Sequence, residues 1–107
     1  MSPQRSAAGE LVLQFRGSRV ETEDEIAEIE DALFELLGDG DTWTGHEITR
    51  EVRNILIDTR DAAATFARVL PFLERAGLVD AMAAGVRPED ATTYVALWPA
   101  GRAFSRT

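Results

Sequence analysis

The chain has 107 residues, 45% of them apolar and 28% charged, the size and balance of a single globular domain. It has no cysteine, which excludes disulfides, thiol catalysis and cysteine-ligated zinc, and all 11 of its bases are arginine, which excludes a Schiff-base or P-loop lysine. A net charge of −8 repels a phosphate backbone at long range and argues against nucleic acid as a partner.

No stretch approaches the roughly 20 apolar residues of a membrane span, and Met1 to Gly9 lacks the apolar centre of a signal peptide. The expectation is a cytoplasmic protein without membrane association. Residues 1–9 read as a disordered lead-in, 10–99 as one α+β domain and 100–107 as a frayed tail.

Leu11 to Arg16 alternate as a first strand, with Leu11, Leu13 and Phe15 on the apolar face and Val12, Gln14 and Arg16 on the other. Ile26, Ile29, Leu33, Leu36 and Leu37 then recur at helical spacing. Thr22 with Glu25 three residues on forms a capping box, and Gly38 is expected to stop the helix in a left-handed conformation. Trp43 to Thr49 and Arg53 to Thr59 read as a hairpin with its turn near Arg50 and Glu51. Asp61 caps a second helix that buries Phe66, Val69, Leu70, Leu73 and Ala76 and ends at Gly77. Pro71 lies inside it and is expected to kink it, since a proline there loses a backbone bond at a cost of about 3 kcal/mol. Ala81 to Arg87 and Thr92 to Trp98 read as two closing strands around a turn at Pro88 to Asp90, with Pro99 ending the last. On this last strand, alternation puts Tyr94, Ala96 and Trp98 on one face and Val95 and Leu97 on the other.

This order, β-α-β-β-α-β-β, is that of a split βαβ or ferredoxin-like plan with an extra C-terminal strand, its two helices on one face of an antiparallel sheet. The other face, carrying Val12, Gln14, Arg16, Asn54, Leu56 and Asp58, is expected to be open: solvated, covered by a second subunit, or used as a ligand groove. From Leu11 to Pro99 the chain resembles small uncharacterised bacterial proteins of ferredoxin-like plan. The resemblance lies in the Arg53-Asn54-Ile55-Leu56-Ile57-Asp58-Thr59 strand and the Tyr94-Val95-Ala96-Leu97-Trp98-Pro99 ending. It implies the fold and no activity.

The charge is concentrated. Ten of the 19 acids fall in residues 21–41, which hold no base, so the remainder is slightly positive. Asp24, Glu28, Asp31 and Glu35 share one helical stripe opposite the apolar face. Their mutual repulsion costs only a few tenths of a kcal/mol per pair, about 0.2–0.5. The stripe reads either as a solvated face that aids solubility or as a docking ridge for a basic protein surface, with Trp43 or Trp98 as the apolar anchor.

Catalytic signals are sparse. His46 is the single histidine, and its neighbour Glu47 points to the opposite strand face. The serines and threonines sit in no nucleophile motif, and the glycines form no phosphate cradle. Asp39-Gly40-Asp41 suggests calcium, but the twelfth position of such a loop would be Arg50 where glutamate is needed, so a tight turn is the better account. No catalytic residue, metal ligand or cofactor is expected. The leading expectation is a non-enzymatic protein-interaction module, with a homodimer as one form of it and an immunity-type inhibitor of a basic nuclease as another. The alternative is a small-ligand or minor enzymatic domain in which Arg16, His46 and Asp58 converge on the open sheet face.

Overall fold

Both helices start at the expected caps. Thr22 Oγ1 accepts from the Glu25 N–H at 3.1 Å while the Glu25 carboxylate accepts from the Thr22 N–H at 3.2 Å, closing the capping box ahead of α1 (Glu23–Phe34). The hydrogen bonds from the Glu21 and Thr22 N–H groups hold the Glu25 carboxyl below its ordinary value. The Asp61 side chain accepts from the Ala64 N–H ahead of α2 (Ala62–Arg75).

The computed structural model describes residues 8–99 and 103–106. Around the helices run β1 (Gly9–Arg16), β2 (Thr42–Ile48), β3 (Val52–Thr59), β4 (Met82–Pro88) and β5 (Val95–Trp98), with a short 3₁₀ turn at Val79–Ala81. They form one five-stranded sheet in the order β2-β3-β1-β4-β5, antiparallel at every pairing. This is the ferredoxin-like split βαβ plan with an added strand. Leu11, Leu13 and Phe15 of β1 face the helices together with Ile55 and Ile57 of β3 and Ala84 and Val86 of β4. They meet Ile26, Ile29 and Leu33 of α1 and Val69 and Leu73 of α2. Each large side chain taken out of water here contributes about 1.5–3 kcal/mol. The hairpin between β2 and β3 turns at Thr49–Glu51, where Thr49 Oγ1 accepts from the Glu51 and Val52 N–H groups.

Several local expectations are corrected. Gly38 does not adopt a left-handed conformation; positive φ values occur at Gly45 and Gly77. Helix α1 already ends at Phe34, and Leu36 and Leu37 bond back to Leu33 and Phe34 in a tightened last turn. At α2 the expected stop holds: Gly77 has φ +72°, and the Leu78 N–H returns to the Leu73 carbonyl. Helix α2 runs unbroken from Ala62 to Arg75 with Pro71 exposed inside it.

Two bulges reset the strand faces. In β2, Thr44 is an extra residue between the Trp43–Ile57 and Gly45–Leu56 pairs, so Trp43 and His46 both face the helices. In β5, Leu97 is extra between the Ala96–Gly85 and Trp98–Ala84 pairs. Trp98 therefore leaves the face it was expected to share with Tyr94 and Ala96, and its ring lies 6.3 Å from that of Phe66 on α2.

The second sheet face is not bare. Residues 103–106, part of what the sequence suggests is a frayed tail, lie across it as a strap. Gln14 Nε2 donates to the Ser105 carbonyl at 2.9 Å, and Asn54 Nδ2 donates to the Arg106 carbonyl at 2.8 Å. Val12 is fully buried on this side of the sheet, and Asn54 is 1% exposed.

Candidate functional site

Along α1, three stripes divide the work. Ile26, Ile29 and Leu33 go into the core. Ala27, Glu30 and Phe34 form a shoulder toward β2, and Asp24, Glu28, Asp31 and Glu35 form the crest, all four of them exposed. The acidic ridge expected from the sequence is therefore present as a solvent-facing row.

Between this shoulder and β2 lies an apolar groove of ≈ 290 Å³ lined by Ala27, Glu30, Asp31, Phe34 and Trp43. Phe34 is 66% exposed and Trp43 is 42% exposed. Glu30 fixes the far wall: its Oε2 accepts from Trp43 Nε1 at 2.8 Å and lies 2.9 Å from His46 Nδ1. The indole thus presents its ring outward with its polar atom already satisfied. Asp31 belongs both to the ridge and to the groove, so carboxylates border the exposed rings directly.

The remaining expected site residues lie elsewhere. Trp98 sits at the opposite edge of the sheet, half-buried against Phe66, and is not part of the ridge surface. Arg16, His46 and Asp58 are not brought together. His46 faces α1, whereas Arg16 and Asp58 lie on the second sheet face. Arg16 pairs with Val52, six residues along β3 from Asp58, which separates them by about 20 Å. Arg16 Nη2 donates to the Asp80 carbonyl at 2.6 Å. Asp58 instead borders a polar cleft of ≈ 320 Å³ with Glu10, Arg60, Arg87 and Glu89.

The sequence gives no hint of Glu30 as the group that joins Trp43 to His46, because simple alternation puts those two on opposite faces and only the Thr44 bulge unites them. Phe34 has a sequence signal: it stands one position off the Leu33 core stripe. Asp41 is also more than a turn residue. Its Oδ1 accepts from Thr59 Oγ1 at 2.6 Å and Thr65 Oγ1 at 2.9 Å, and its Oδ2 accepts from the Gly38 N–H at 2.8 Å and Arg68 Nη1 at 2.9 Å. Burial pushes this carboxyl up, but the hydrogen bonds from Thr59, Gly38, Thr65 and Arg68 outweigh burial and hold it below its ordinary value. This network ties the loop after α1 to β3 and α2 and so fixes where β2, and with it Trp43, begins.

Among the described residues, no group of three or more histidine, aspartate or glutamate side chains is placed to hold a metal ion, and no helix is long and apolar enough to cross a membrane. No family model matches the chain, and no curated protein or solved structure does.

Proposed function

We propose that the protein is a non-enzymatic interaction module that docks a basic protein surface through α1 and the adjoining edge of β2. The observation that carries this reading is the juxtaposition of two exposed aromatic rings, Phe34 and Trp43, with Asp31, which belongs to the same exposed row as Asp24, Glu28 and Glu35. Carboxylates around an apolar groove supply the two parts of a docking surface: the charges raise the encounter rate and set orientation, and the rings supply desolvated contact area. An immunity-type inhibitor covering a basic nuclease site is one concrete form, with the ridge standing where phosphates would. The separation of Arg16, His46 and Asp58 supports docking over the ligand or enzymatic alternative.

The homodimeric form of the same reading uses β2 itself, whose outer edge pairs with no strand of the sheet and carries the exposed Ile48. A cytoplasmic setting, where basic nucleases and their inhibitors can meet, belongs to this proposal.

Capture from a total lysate tests the reading. Wild type is expected to retain a basic partner that Glu28→Arg/Asp31→Arg loses, with Phe34→Ala/Trp43→Ala weakening capture by at least about 30-fold, the effect of about 2 kcal/mol expected at an aromatic hot spot. Equal capture by wild type and both variants removes the surface from the account.

A further inference from the structure

We propose that the second sheet face is a peptide-binding site for an aromatic-x-arginine segment, filled in this chain by its own Phe104-Ser105-Arg106. The site lies on the opposite side of the sheet from the docking groove and does not rest on it.

Three features of the face read three parts of the strap. The first is a pair of side-chain amides. Gln14 and Asn54 are direct cross-strand partners, and both donate to the Arg106 carbonyl, at 3.2 Å and 2.8 Å. Amides on adjacent strands aimed at one carbonyl hold a main chain in a fixed register whatever its side chains are. The second is a carboxylate clamp. Glu47 takes Arg106 in a fork, Nε to Oε1 at 2.7 Å and Nη2 to Oε2 at 2.6 Å, while Nη1 reaches Glu10 Oε1 at 3.2 Å. The forked geometry suits a planar guanidinium and not an ammonium. The third is a notch. A Cβ at Gly85 would stand 2.5 Å from the Phe104 ring, so only glycine admits that ring against the sheet. Tyr94 closes the notch, with its ring 5.5 Å from Phe104 and its hydroxyl donating to Glu10 at 2.6 Å.

These groups have little purpose without a cationic ligand. Glu10 and Glu47 come from β1 and β2, on either side of β3, and point to the same face, where two carboxylates repel unless a cation lies between them. Arg106 relieves this and holds the Glu47 carboxyl below its ordinary value. The Asn54 side chain is 1% exposed and its Nδ2 is spent on the strap carbonyl and on Glu47 Oε1, so this buried amide is satisfied as a donor only when a main-chain carbonyl lies over it. Nor is the strap sealed like a core: the Arg106 side chain keeps 32% of its exposure and Glu47 keeps 41%. Such a contact can open. A tethered segment meets its site at an effective concentration in the millimolar range, so a free peptide competes only when the tethered anchors are removed.

The test uses the full chain with Phe104→Ala/Arg106→Ala and a fluorescent synthetic peptide of the sequence of residues 103–107, read by anisotropy. The variant is expected to bind this peptide at least tenfold more tightly than wild type does. Glu47→Gln in the same background, or Lys in place of Arg in the peptide, is expected to lower binding tenfold or more. Equal binding by variant and wild type, no binding by a folded variant at millimolar peptide, or indifference to the peptide's arginine would each overturn the proposal. If the double variant fails to fold, Arg106→Ala alone takes its place. Unfolding of both overturns the proposal too, because the strap is then an obligatory part of the core.

Discussion

Asp41 shows how much a single side chain organises. It accepts from Thr59 and Thr65 hydroxyls, a backbone N–H and Arg68, with its own side chain only 5% exposed. Asp41→Ala leaves those donors without an acceptor and is expected to cost about 3 kcal/mol in urea denaturation, the usual effect of breaking a buried charged network. Because the folded pKa lies below that of the unfolded chain, the stabilisation is complete above the unfolded value, near 3.8, and is lost as pH falls through the folded value. The gap in urea midpoint between wild type and Asp41→Asn should therefore be largest near neutrality and close on acidification; a gap independent of pH contradicts this role. None of this was legible in the sequence. Asp39-Gly40-Asp41 showed a turn, but the partners come from β3 and α2, which no local pattern connects to it. The ridge residues were legible because helical periodicity alone orders Asp24, Glu28, Asp31 and Glu35. Glu30 was not, since its bonds to Trp43 and His46 depend on a one-residue bulge.

At the scale of elements, strands and helices followed from alternation and capping, and their order led directly to the sheet topology. Thr22 and Asp61 mark their helices because a side-chain acceptor for an orphan N–H is a local requirement. Where the face assignment failed, at Trp98, an inserted residue shifts a period of two, as another does between Trp43 and His46, and alternation contains no record of such an insertion. The fate of residues 103–106 was hidden for another reason: four residues are too few to show a periodicity, and their placement is decided by Glu10, Glu47, Gln14 and Asn54 far away in sequence. Helix α2 offers a test of its own. Pro71 interrupts its hydrogen-bond ladder on an exposed surface without ending it, so Pro71→Ala restores a bond and relieves a steric clash. It is expected to stabilise the fold by about 1–3 kcal/mol, read as a raised urea midpoint with unchanged slope. A lowered midpoint would contradict this.

Over the whole molecule, charge is segregated rather than merely negative. Residues 21–41 hold ten acids and no base, and the fold gathers four of these onto one crest of α1 beside Phe34 and Trp43. A crest of this kind costs little stability, so its effect should appear in association and not in folding. The most direct measurement is the rate at which immobilised protein takes up its captured partner at about 20 mM and about 500 mM salt, where the screening length shrinks from well beyond the crest's spacing to about 4 Å. The account predicts an association rate at least tenfold faster at low salt for wild type, with that dependence abolished in Glu28→Arg/Asp31→Arg. A rate insensitive to salt, or the same salt dependence in the reversed variant, would contradict it.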